Sequence, residues 1–76
     1  MAKEKYQIGE IAEVRCSHLK DGKRVEDWLA GKVVNADYRM AAVKFETDVF
    51  LSNGWRIPDR ILWCAHGSPN LRRPTS

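Results

Sequence analysis

Apolar side chains in this chain recur at every second residue, and nowhere at a sustained helical spacing. Residues 10–16 set Ala12, Val14 and Cys16 on one face against Ile11, Glu13 and Arg15 on the other. Residues 28–35 repeat the pattern, with Leu29, Gly31 and Val33 facing in and Trp28, Ala30 and Lys32 facing out. Ala41, Val43 and Phe45 give a third inward row over 41–45. Burial at alternate positions is the signature of a strand with one face on a core. At 76 residues there is room for one such core and no second, so the strands must wrap a shared interior. The expected product is an all-β domain, a small antiparallel barrel. Val14, Val33, Val43, Phe45, Ile57 and Ile61 are the side chains expected to fill it, which leaves the rim and outer surface for binding.

The residues between strands agree with this. Asp21-Gly22 suits a two-residue hairpin loop, whose central positions both need positive φ. Its polar flanks predict a ribbon standing off the barrel. Residues 35–39 turn the chain into the third strand, which Glu46-Thr47-Asp48 interrupts. Asn53-Gly54 is a second turn signal, after which 55–57 read as a fourth strand. Pro58 ends it, having no N–H to donate, and suits the first position of one tight helical turn over 58–61. Residues 62–65 read as the fifth strand. The expected organisation is a flexible N-terminus over 1–7, a barrel over 8–67 and a basic C-terminal tail over 68–76. Five strands with a short helical turn before the last is the layout of an SH3-like barrel.

Thirteen Lys/Arg against ten Asp/Glu leave a net charge of +3. The first 55 residues balance, so the excess comes from Arg56, Arg60, Arg72 and Arg73 against Asp59. That is modest for a nucleic-acid surface. No run approaches the roughly 18–20 apolar residues of a membrane span, and the charged start, Met1-Ala2-Lys3-Glu4-Lys5, lacks the apolar run of an export signal. The expectation is an intracellular setting, cytoplasm and nucleus not being distinguished, no membrane partner, and Cys16 and Cys64 held as free thiols.

The order Gly9…Glu13-Val14-Arg15, Trp28…Gly31-Lys32-Val33-Val34, Val43-Lys44-Phe45, Ile57-Pro58…Ile61 and Leu71-Arg72-Arg73-Pro74 resembles the Tudor-related family, its Agenet branch in particular. The resemblance covers roughly residues 8–74. It implies a Tudor-like barrel serving as a binding module, since such barrels often read methylated lysine or arginine through an aromatic cage. A cage needs ring faces around the cation and a carboxylate nearby. Trp28, Tyr38, Phe45, Phe50 and Trp55 are the candidate rings, with Glu46 and Asp48 as acids; Phe45 also suits the core, and Trp63 a barrel end.

Three sets of residues stand out as candidate sites. The first is a rim patch of Trp28, Tyr38, Asp48 and Trp55, suited to a protein or cationic peptide, with a role as accessory subunit of a larger assembly in keeping. The second is a nucleic-acid surface of Lys32, Arg39, Lys44, Arg56, Arg72 and Arg73 beside exposed aromatics. The third is a zinc site from two Cys-x-His pairs, Cys16 with His18 and Cys64 with His66. Each cysteine also falls at a core position, so buried thiols with surface histidines are the simpler reading and no cofactor is expected. Nothing supports an enzyme: Ser17 and His18 are adjacent on a strand and point to opposite faces, and no glycine-rich phosphate loop occurs.

Overall fold

The computed structural model describes residues 5–51 and 53–74. They form β1 (Ile11–Lys20), β2 (Lys23–Ala36), β3 (Met40–Lys44), β4 (Val49–Phe50), β5 (Ile61–Ala65) and β6 (Leu71–Arg72), with a 3-10 turn at Pro58–Arg60 before β5. All pairings are antiparallel, in the order β4-β1-β2-β3-β5, and β6 also pairs with β1. The sheet curls into a half-barrel around one core, as the alternation requires. Among the described residues no helix is long and apolar enough to cross a membrane.

Asp21 (φ 54) and Gly22 (φ 80) turn β1 into β2 with Lys20 opposite Lys23, the pair of left-handed residues that this loop demands. Ala12, Val14, Cys16 and His18 of β1 are all buried. The base of the ribbon is held against the barrel, while residues 19–24 at its tip stay exposed. Val49 and Phe50 of β4 pair with His18 and Ser17 on the far edge of β1 and cover it.

β2 ties the sheet together. It pairs with β1 from Lys23 to Lys32 and with β3 from Lys32 to Ala36, so its two halves use opposite edges. A bulge between Val33 and Asn35 leaves Val34 unmatched, and the extra residue keeps both Val33 and Ala36 on the inner face. Gly31 marks the closest approach of β2 to the chain leaving β3. A Cβ there would lie 2.6 Å from Val43 Cγ1 and 2.8 Å from Phe45 Cδ1. The absent side chain is what admits the Phe45 ring, which is 1% exposed, to the centre of the core.

Val14, Val33, Val43, Phe45 and Ile57 are buried as expected. Ile61 is only half-buried, because it opens β5 opposite Lys44 and so lies on the outer face. The expected fourth strand over 55–57 reduces to a single bridge, Phe50 to Arg56. Ile57 still donates its N–H to Val49 O at 2.8 Å, but Pro58 has no N–H with which to extend the ladder. The described residues nonetheless hold six strands rather than five, because β4 and β6 are added to the expected set.

Residues near both ends, Tyr6 and Leu71, take part in the fold. Tyr6, expected in a frayed lead-in, is buried in the core, while residues 1–4 lie outside the described residues. Leu71, expected in a tail, is buried too: β6 sets Leu71 opposite Val14 and Arg72 opposite Glu13. Residues 75–76 lie outside the described residues.

Candidate functional site

The rim patch expected from Trp28, Tyr38, Asp48 and Trp55 does not assemble. Tyr38 lies in the turn after β2, whereas Trp55 follows Gly54, which sits by the Arg24 guanidinium near the start of β2. Twelve residues separate Arg24 from Ala36, on the order of 40 Å of strand path at roughly 3.3 Å each. Trp28 stands midway, opposite Arg15.

The cations of the chain itself already occupy most of these groups. The Arg72 guanidinium lies 3.9 Å from the Trp28 ring centroid and donates from Nε to Glu13 Oε1 at 2.7 Å. Lys5 Nζ and the Arg39 guanidinium lie 5.4 Å and 5.6 Å from the Tyr38 ring. Asp48 accepts from Arg60 Nε at 3.1 Å and has Arg56 Nη1 at 3.8 Å. Of the candidate cage rings, Phe45 is core and Phe50 carries the Arg24 guanidinium at 4.3 Å. Trp55 is 71% exposed and has no cation over its ring among the described residues; it lies near Phe50, through the Phe50–Arg56 bridge, and not near Tyr38.

The six cations of the nucleic-acid set are dispersed. Arg72 pairs with Glu13 and Arg73 with Glu10, whose carboxyl the Arg73 guanidinium, then the Gln7 N–H, holds below the usual range. Arg56 shares Asp48, and Arg39 belongs to the β2–β3 turn. Lys32 and Lys44 stand directly opposite each other on β2 and β3 with no ion pair among the described residues, and Lys44 shares a groove with Arg56.

The Cys-x-His groups serve other ends. His66 Nδ1 accepts the Tyr6 N–H at 3.1 Å, so Nε2 carries the ring proton and donates to Asp37 O at 2.6 Å. The ring stacks on Tyr6 and clasps the lead-in, the β2–β3 turn and the end of β5. His18 is buried beside β4 with Nδ1 3.3 Å from Leu19 O, and its Nε2 has no hydrogen-bond partner among the described residues. Burial, then the nearby Cys64 thiol, pushes the Cys16 thiol up to about 11; burial raises Cys64 as well. The four residues do not converge, and among the described residues no three His, Cys, Asp or Glu gather where a metal ion could be held.

The outer face of β2, β3 and β5 brings together residues that the separate sets did not. Cross-strand partners share a face, so Lys32, Lys44 and Ile61 form one row, and Asn35, Ala42 and Trp63 the next. Trp63 is 47% exposed rather than plugging a barrel end, while Ala42 beside it is 1% exposed beneath larger neighbours. A groove of about 420 Å³ runs from this face between Lys32 and Lys44 to Leu29, with Glu46 at its side. Lys44 also borders a second groove of about 510 Å³ that holds Arg56, Arg60, Asp48 and Asp59. The alternation of Ile61, Trp63 and Ala65 against Leu62 and Cys64 was the signal for this face. No protein-family model, curated protein or solved structure matches the chain.

Proposed function

We propose that the chain is a non-catalytic binding module that takes an acidic protein segment on the outer face of β2, β3 and β5. One observation carries this: half-exposed Trp63 stands one row from Lys32 and Lys44, two like charges directly opposed with no carboxylate paired to either among the described residues. Like charges facing across a ladder destabilise a sheet, and an acidic partner would relieve that repulsion. An exposed Trp on a face that also carries Asn35 and two lysines has the composition of an interface anchor. Glu46, Asp48 and Asp59 border the adjoining grooves. Those carboxylates repel any anion, so a phosphate backbone, charged at every step, fits less well than a peptide whose acids can be confined to the two lysines. A cationic peptide is disfavoured in turn, because the rings and carboxylate it would use are held by Arg72, Arg60 and Lys5. The Tudor-like resemblance is compatible with this role but does not set the face.

The test is an amide-shift titration with three probes: a Glu/Asp-rich peptide carrying one Phe, a Lys/Arg-rich peptide and a single-stranded oligonucleotide. The acidic peptide is expected to shift residues 32, 42–44 and 61–63, and Trp63→Ala or Lys44→Glu to abolish the shifts while the fold persists. Preferential binding of either other probe would defeat the proposal.

A further inference from the structure

Five consecutive residues of β2, Lys23-Arg24-Val25-Glu26-Asp27, read basic, basic, apolar, acidic, acidic. Rotated by a two-fold axis through Val25, that order is its own charge complement. The same residues lie on an unpaired strand edge. β1 takes one edge of β2 from Lys23 onward, whereas β3 joins the other only at Lys32. No backbone hydrogen bond among the described residues reaches 23–31 from outside the β1 ladder.

The phase of that edge follows from the hairpin. Lys20 and Lys23 flank a two-residue loop and form a hydrogen-bonded pair. Residues 23, 25 and 27 therefore point their N–H and C=O groups at β1, and Arg24, Glu26 and Trp28 point theirs outward. The Trp28 amide bears this out: with no strand to meet, it donates to its neighbour Asp27 Oδ1 at 2.7 Å.

We propose that this edge docks a second copy of the chain, with the two β2 strands antiparallel about Val25. Arg24 and Glu26 of opposite copies form hydrogen-bonded pairs, and Lys23 faces Asp27 in non-hydrogen-bonded pairs, where side chains approach most closely. The two Val25 side chains meet on the axis. Four opposite-charge pairs result, each favourable when directly opposed. Hydrogen-bonding phase allows only registers centred on a residue, and the neighbouring ones, centred on Arg24 or Glu26, set two like charges face to face. Charged residues on a free edge ordinarily keep other strands away; here their order repels shifted or foreign strands and accepts a copy. The Arg24 guanidinium, which lies over Phe50 in the single chain, swings to the free edge to reach Glu26. This edge is separate from the Trp63 face, so the two proposals stand or fall independently.

Sedimentation equilibrium of the full chain tests it. The samples are the wild type, an acidic variant (Lys23→Asp with Arg24→Glu), a basic variant (Glu26→Arg with Asp27→Lys), their mixture, and a chain with all four changes. The wild type should dimerise, with a Kd that rises with salt. Each two-change variant should dimerise at least about tenfold more weakly. The mixture and the four-change chain, which restore complementarity, should recover the dimer. In the wild type, hydrogen exchange at the Arg24 and Glu26 amides should slow as concentration rises. A wild type that stays monomeric, or a dimer indifferent to the charge swaps, overturns the proposal; the exchange measurement decides the matter even if a variant misfolds.

Discussion

Replacing Gly31 by Ala sets two known effects against each other, and the structure decides between them. Gly31 is not in the left-handed region, so an L residue fits its backbone. On propensity alone, Ala should stabilise a strand interior by about 0.5–1 kcal/mol, through the entropy of the unfolded chain. The new methyl, however, would sit 2.6 Å from Val43 Cγ1 and 2.8 Å from both Lys44 O and Phe45 Cδ1. These neighbours cannot yield easily, since Lys44 O is backbone and Val43 and Phe45 are 0% and 1% exposed. Overpacking of this kind costs about 1–3 kcal/mol, so the expected net loss is about 1–2 kcal/mol. A domain of this length has a total stability of about 4–11 kcal/mol at ~0.05–0.15 kcal/mol per residue. The loss should appear as a fall in Tm of about 4–16 °C. Urea melts of Gly31→Ala, Phe45→Leu and the double variant give the cycle. The cost of the methyl should shrink by at least about 0.5 kcal/mol when the ring is gone. If Gly31→Ala melts at or above the wild type, the close-approach reasoning is refuted.

Leu71→Ala should cost about 2–4 kcal/mol in denaturant melts, as expected for a buried leucine rather than a tail residue; a change within about 0.5 kcal/mol would mean that β6 is not part of the cooperative fold. Asp37 accepts the Met40 and Arg39 amides at 2.8 Å each, and these two bonds hold its carboxyl below the ordinary value of 3.8. Its contribution is therefore complete above the unfolded value and lost as pH falls through the lower folded one. An NMR titration should find the Asp37 midpoint below 3.8, and a midpoint at or above it contradicts the turn geometry. The raised thiols have the opposite sign: stability is complete below the unfolded value of 9.0 and falls as pH rises toward about 11. Replacing Cys16 by Ala should flatten that alkaline decline in melts recorded from pH 8 to 11, and an unchanged slope would remove Cys16 as its cause.

Most of the inner face was legible in the sequence, because burial at every second residue is a local pattern. Val14, Val33, Val43 and Phe45 needed only their own strands to be placed. What misled was anything set by a distant partner. Ile61 has the composition of a core residue, yet its face is fixed by the β3–β5 register, which pairs it with Lys44. Leu71 looks like the lone apolar residue of a basic tail, yet Val14 lies 57 positions earlier in the chain and β1 has a free edge there to receive it. Tyr6 is buried because His66, from the other end, accepts its amide and stacks on its ring. Short strands of two residues, such as β4 and β6, carry too few positions to show a period at all.

The candidate site was less legible for a sharper physical reason. Composition marks aromatic residues and carboxylates as places for a partner's cation, but it does not say whether the chain fills them itself. Here four cation–ring contacts, from Arg72 to Trp28, Arg24 to Phe50, and Lys5 and Arg39 to Tyr38, take up three of the rings singled out. Each exposed contact is worth only about 0.5–1 kcal/mol. An external cation must still displace one and lose its own freedom on binding, so affinity at those rings starts from a deficit. The reverse holds farther along the same outer face, over β2, β3 and β5. Among the described residues Lys32 and Lys44 face each other with no ion-pair partner, and Trp63 beside them has no guanidinium over its ring. A partner bearing carboxylates meets charges whose interactions are unmet, so no internal contact has to be broken first. The capacity to bind is thus set less by which residues the chain contains than by which of them its own topology leaves unsatisfied.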